Sequence, residues 1–436
     1  MLLLARSTRS IARSARSYAH QAPPPALVSA AQTSRAQRVL STPEDAKLTA
    51  SISLFLKAGS RYQPSHGLAH LLKNSVFKST QKRSALSLTR ETELLGGVLT
   101  SSLTREHLIL SAEFLKGNDV GRRSDELELH KARICGRSAT GGDCRVPASQ
   151  QDPTVVALEQ AHQLAFREGL GNSLFVHPEL GVSQEAVVEY ARSSFGEAKE
   201  QSIVGTGIQA DRLAELADQF FAVSSSSSSS SSGPGAPQKS SSYHGGEARI
   251  TRAHGSDTLL VAFKGAAGSS SAAYTVLQHL LGSDPASVKW SSGTSPLSSL
   301  PVRAFHLSYS DMGLFGFLVK APAAHARSAA SQALAELKKI AAGNSLDKEA
   351  VARAALKAQL LVASSLESNI LRNELLGTQS LISPKTPQQL GELYSAYSQV
   401  TPEQVIQAAK SIISSPPTTV AVGNTQELPY FDQLGL

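Results

Sequence analysis

His70, Lys73 and Asn74 stand at the spacing H-x-x-K-N. On a helix, residues 70 and 74 share one face and residue 73 lies beside them. Zinc hydrolases of the H-x-x-E-H type use that spacing for chemistry. Two imidazoles four residues apart hold the metal, and the glutamate between them takes a proton from water. Here Lys73 fills the place of the glutamate and Asn74 the place of the second imidazole. An ammonium is already protonated at neutral pH, so it accepts no proton and repels Zn²⁺. A neutral amide is a poor zinc ligand beside imidazole, thiolate or carboxylate. The expectation is a chain with no catalytic residue, no metal site and no cofactor, carrying only a degenerate former zinc site at His70, Lys73 and Asn74. His66 stands four residues before His70 and is placed to share a helical face with it, but Gly67 weakens a helix there and no third ligand is evident.

Other chemistry is absent from the pattern. There is no P-loop, no dinucleotide fingerprint after a strand, no Gly-x-Ser-x-Gly elbow and no Cys-x-x-Cys. The two cysteines, Cys135 and Cys144, are too few for a disulfide framework or an iron–sulfur site, and a reducing compartment keeps them as thiols. His162 lies on an amphipathic helix and reads as structural. The run Met312-Gly313-Leu314-Phe315-Gly316-Phe317 reads as strand packing.

The elements that position the motif repeat along the chain. Ser51 to Lys57 alternates as a strand, passes Gly59 and leads to a helix over 67–78. Asp257 to Lys264 is a second such strand, followed by Gly265 to Gly268 and a helix over 272–281. Each half then carries a strand pair: Leu94 to Ser102 with Glu106 to Leu115, and Val302 to Ser310 with Gly313 to Lys320. Helices follow. Asp152-Pro153 caps one whose apolar residues recur at Val155, Leu158, Ala161, Ala165 and Phe166, ending at Gly169 and Gly171. Ala326 to Ala341 and Lys348 to Leu376 are long helices, and Thr386-Pro387 and Thr401-Pro402 open two more with capping boxes. Thr418 to Val422 closes the pattern as a strand. The fold class expected is α/β (α+β), two homologous domains that are each a mixed sheet backed by helices.

Domain limits follow composition. Residues 224–242 are a Ser/Gly/Pro-rich linker between domains at 36–223 and 243–436. Residues 121–151 show no sustained period. They are either a surface insertion or a local sequence error, which mass mapping of Ile134 to Val146 decides.

The chain has 436 residues, 41% of them hydrophobic and 18% charged, with no apolar run of membrane-spanning length. The formal net charge of +7 is concentrated at the start. Arg6, Arg9, Arg13, Arg16, Arg35 and Arg38 precede the first acidic residue, Glu44. This marks residues 1–35 as a mitochondrial transit peptide and disordered N-terminus, with a cut near Tyr18 that N-terminal sequencing checks. The remainder is nearly balanced, and no basic stripe interleaved with aromatics points to nucleic acid.

Gly67 to Asn74 resembles the degenerate motif of the non-catalytic core subunits in the pitrilysin-type (M16) metallopeptidase family. His162 to Arg167, Tyr243 to Glu247, Val276 to Gly282 and Tyr309 to Phe317 are similar too. An active member also needs a distal glutamate some seventy-odd residues beyond its motif. Between Glu128 and Asp152 this chain offers only Asp143. The resemblance implies two similar domains facing one another like a bowl, on the matrix side of the mitochondrial inner membrane and peripheral to it. It implies the first core subunit and the other subunits of ubiquinol–cytochrome c reductase (complex III) as partners, within a dimeric complex. It implies no haem, iron–sulfur cluster or quinone bound by this chain, and a structural role. Two other readings follow from the same family: a presequence-binding, non-catalytic subunit of a mitochondrial processing peptidase, and a soluble peptide-binding module. The Gly-rich loop of the processing subunit is matched poorly by Gly265 to Gly268.

Overall fold

The computed structural model describes residues 28–33, 37–42, 48–78, 84–94, 96–116, 152–177, 181–196, 198–221, 240–252, 257–282, 295–343, 346–382 and 390–435. The period-two runs form two sheets. The first contains β1 (Ser29–Gln32), β2 (Arg38–Thr42), β3 (Thr49–Leu56), β4 (Val98–Leu103), β5 (Leu108–Leu115) and β6 (Gln201–Thr206), in the order β1-β2-β6-β3-β5-β4. The second contains β7 (Gly246–Thr251), β8 (Thr258–Gly265), β9 (Val302–Ser308), β10 (Gly313–Lys320) and β11 (Thr418–Gly423), in the order β7-β11-β8-β10-β9. Without β1 the two orders are the same. In each, one parallel pair (β2 with β6, β7 with β11) joins an antiparallel remainder. The repeat expected from the sequence is therefore present in the topology.

The first half carries α1 (Leu68–Ser75), α2 (Ala85–Leu94), α3 (Pro153–Phe166), α4 (Gln184–Gly196) and α5 (Ala210–Phe221). The second carries α6 (Ser271–Leu281), α7 (Ala323–Ala341), α8 (Lys348–Glu367), α9 (Asn369–Ile382), α10 (Leu390–Ser398) and α11 (Pro402–Ile413). Each sheet is covered on one face by helices of its own half. Leu54, Leu56, Leu108 and Leu110 meet α1, α4 and α5, while Val261, Phe263, Phe315 and Phe317 meet α6, α7 and α11. The opposite faces are covered by exchange. From the first half, α3 lays Ala157, Ala161, Ala165 and Phe166 on Leu260, Ala262, Leu314 and Val420 of the second sheet. From the second half, α9 lays Leu376 on Leu40, Phe55, Ile109 and Val204 of the first. Gly377 lets the helix backbone reach the Phe55 ring, where an added Cβ would stand 2.3 Å from it.

Local chemistry explains the ends. Asp152 accepts from Thr154 N–H and Pro153 opens α3, and Thr401 with Gln404 forms a reciprocal capping box on α11. Thr386-Pro387 and residues 121–151 lie outside the described residues, as does most of the expected linker.

Several expectations are corrected. Within residues 1–35, expected to be leader and disordered N-terminus, Ser29–Gln32 is ordered as β1 and pairs with Arg38–Ser41. Leu94 ends α2 and does not begin a strand. The helix expected over 67–78 stops at Ser75, since Val76 is extended and Phe77 takes a positive φ of 61°. The helix expected from Lys348 to Leu376 is two helices, parted at Ser368 (φ −84°, ψ 129°), where the chain turns onto the first sheet.

Candidate functional site

Helix α1 begins at Gly67, whose φ of 87° only glycine adopts cheaply. A Cβ there would also meet Val176 at 2.8 Å. Gln63 Oε1 accepts the orphan amide of Ala69 at 3.2 Å. The helix buries Leu68, Ala69, His70 and Leu72. His66 is exposed and precedes the helix, so it shares no helical face with His70.

His70 is only 6% exposed. The Phe175 ring stands edge-on to it with centroids 5.8 Å apart, and its Nδ1 is buried without a hydrogen-bond partner. Burial, and secondarily the Lys73 charge, holds its pKa below the ordinary imidazole value. Lys73 and Asn74 are half-buried on the same helix. Among the described residues no three His, Cys, Asp or Glu side chains gather where they would hold a metal. The residues present do not fit Zn²⁺: one imidazole is sealed under a phenyl ring, with an ammonium one turn along.

The seal comes from the segment after α3. Arg167, at φ 58° and ψ −65°, is the centre of a γ-turn closed by Glu168 N–H donating to Phe166 O at 2.6 Å. That backbone costs on the order of 1–3 kcal/mol and reverses the chain sharply. Residues 170–176 then cross back to the first half. Arg105 donates to Leu170 O (3.0 Å), Asn172 O (2.8 Å) and Glu159. Asn172 Nδ2 donates to Ser60 O, Gln63 Nε2 donates to Ser173 O, and Leu174 N–H donates to Glu159 Oε2. These bonds deliver Phe175 to His70 and Val176 to Gly67. Sequence reading missed this cover; the pair of glycines at 169 and 171 signalled the turn, but not its target.

A second polar group lies between the halves. Arg61 donates to Glu106 Oε1 at 2.7 Å from the first half, and to Asp311 Oδ1 at 2.9 Å and Oδ2 at 2.6 Å from the second. Ser310 N–H donates to Glu106 Oε2 at 3.0 Å, its hydroxyl bonds Glu106, and Ser241 N–H donates to Asp311 Oδ2 at 2.9 Å. Burial alone would raise the Asp311 pKa, but the hydrogen bonds from Arg61 and Ser241 outweigh it and hold it below the ordinary value. Beside this group His162 is structural, as expected. Its Nδ1 donates to Leu158 O at 2.6 Å, which leaves Nε2 to accept from Tyr309 OH at 2.7 Å. Burial, then the Arg105 charge, holds His162 neutral.

This fold has known counterparts. Residues 38–124, which contain α1, match the family described as Insulinase (Peptidase family M16). The chain is 34% identical over 406 residues to Cytochrome b-c1 complex subunit 2, mitochondrial, of Cryptococcus neoformans, covering 89% of this chain and 90% of that one. The Yarrowia lipolytica protein of the same name is 31% identical over 404 residues, covering 88% and 91%. A chain in the structure of Complex III2 from Candida albicans, Inz-5 bound, superposes with a TM-score of 0.77 at 18% identity, covering 94% of this chain and 99% of that one. That likeness shows the fold. The sequence identities show more: the chain belongs to the family of mitochondrial cytochrome b-c1 complex subunit 2 proteins.

Proposed function

We propose that this chain is a non-catalytic structural subunit of mitochondrial ubiquinol–cytochrome c reductase. It sits peripherally on the matrix side of the inner membrane, beside the first core subunit and within the dimeric complex, and supports the assembly of the redox subunits. The observation that carries this is the pairing of near full-length similarity to b-c1 subunit 2 proteins with Lys73 and Asn74 on α1. An ammonium and an amide at these positions supply neither general base nor ligand. Phe175 over His70 removes access to the one imidazole that remains. Among the described residues no helix is long and apolar enough to cross a membrane, so attachment runs through partners.

The test is a native gel of gently solubilised mitochondria carrying a tagged copy of the chain, with mass spectrometry of the tagged band. Co-migration with the cytochrome subunits supports the reading. Recovery with a catalytic processing-peptidase subunit, and none of the cytochromes, replaces it with the presequence-binding reading. Cleavage of a presequence peptide by the purified chain alone defeats both.

A further inference from the structure

The two hairpins that flank the joint between the halves are built alike. Four residues join β4 to β5 (Thr104 to His107), and four join β9 to β10 (Tyr309 to Met312). Each turn is closed by the same bond, Thr104 N–H to His107 O and Tyr309 N–H to Met312 O, both at 2.8 Å. The third residue of one turn is Glu106 and of the other Asp311. These quasi-equivalent carboxylates, one from each half, converge on one guanidinium, Arg61.

We propose that Arg61, Glu106 and Asp311 form a clasp that fixes the angle between the two sheets and holds the chain as a frame that does not open. Three features carry it. The Arg61 and Glu106 side chains are 3% and 5% exposed, so the pair is shielded from water and salt. The fork of Arg61 meets both oxygens of Asp311, and two parallel bonds from a planar donor define orientation as well as distance. Ser310 ties the turn of the second half directly to Glu106 through its amide and its hydroxyl. The same carboxylate of Asp311 takes the Ser241 amide, so the chain entering the second half is pinned at the joint. Glu106 acts as a positioning residue: it orients Arg61 toward the other half. The clasp is a property of the chain itself and stands whether or not the chain joins a respiratory complex.

The test measures the distance between spin labels on full-length chain with Cys135→Ser and Cys144→Ser, labelled at Arg192→Cys on α4 and Ala335→Cys on α7, both exposed. Wild type at the clasp is expected to give one narrow distribution, unchanged between low salt and 0.5 M salt (about 4 Å Debye length). Asp311→Ala is expected to widen it at least twofold while circular dichroism stays unchanged. Asp311→Asn keeps the volume of the side chain and removes its charge. It tests the clasp if the alanine variant fails to fold, with an intermediate width expected. Lys57→Ala, which removes an ion pair outside the clasp, is expected to leave the width unchanged. A broad wild-type distribution, or Asp311→Asn and Asp311→Ala both matching a narrow wild type, overturns the proposal.

Discussion

Two helices cross between the halves, and their seams differ in kind. On the second sheet, α3 buries an apolar strip: Ala157, Ala161, Ala165 and Phe166 against Leu260, Ala262, Leu314, Val420 and Val422. On the first sheet, α9 meets a face rich in serine and threonine. Asn373 donates to Ser51 and Ser53 hydroxyls at 2.9 and 3.1 Å and accepts from Thr206 at 2.7 Å. Ser380 reaches Ser202, and Asn369 reaches Thr49. An apolar seam takes most of its strength from area and little from direction. A hydrogen-bonded seam contributes less net energy per contact, yet every unmade bond in it costs, so it admits one register. The repeat thus kept the exchange of helices in both halves while dividing the labour: α3 supplies cohesion and α9 supplies alignment.

Removing the anchor of the apolar seam should cost most. Phe166→Ala deletes a side chain only 2% exposed and is expected to lower stability by about 3–5 kcal/mol in urea titration. Asn373→Ala removes the shared partner of the Ser51, Ser53 and Thr206 hydroxyls, of which Ser53 keeps Ser111 and Thr206 keeps Thr42, and is expected to cost about 1–3 kcal/mol. A larger loss from Asn373→Ala than from Phe166→Ala would reverse the assignment of cohesion and alignment.

Acid sharpens the comparison in a different way. Burial lowers His107, His279 and His306 from 6.5 to about 4. Below pH 6.5 the unfolded chain binds protons that the folded chain refuses, so stability is full above that pH and is lost progressively as pH falls toward about 4. Lowered histidines stand in both halves, His70, His107 and His162 in the first and His279 and His306 in the second, so denaturant midpoints read by hydrogen exchange should fall in both halves as pH drops below 6.5. Midpoints unchanged in either half between pH 7 and pH 5 would count against it. The smallest effects belong to exposed features. Thr401→Ala removes the α11 cap, for about 1 kcal/mol. Lys57→Ala is expected to change the urea midpoint by less than about 0.5 kcal/mol.

Local pattern revealed some elements and hid others for identifiable reasons. β3, β8, the β9–β10 hairpin and β11 alternate or run apolar within single segments, and α11 announces itself by its cap. Helix α2 was invisible because it buries only Thr92, leaving no apolar stripe. The break at Ser368 was invisible because helix propensity continues on both sides, and only docking on the first sheet turns the chain. At the site, the ammonium of Lys73 and the amide of Asn74 beside His70 were readable from spacing alone. Phe175 over His70 and Asp311 on Arg61 were not, since they join residues 105 and 250 positions apart. Long-range pairs of that kind leave no periodic trace in one sequence.

The exchange of helices also imposes a timetable on synthesis. A chain emerging from its N-terminus completes β1 to β6 long before α9 exists, since α9 begins only at Asn369. Until then Leu40, Phe55, Ile109 and Val204, which α9 later covers, have no lid and face the surrounding water or a chaperone. The nascent first half is therefore a client awaiting its own distant tail, and any truncation before α9 releases a sheet whose second face never closes.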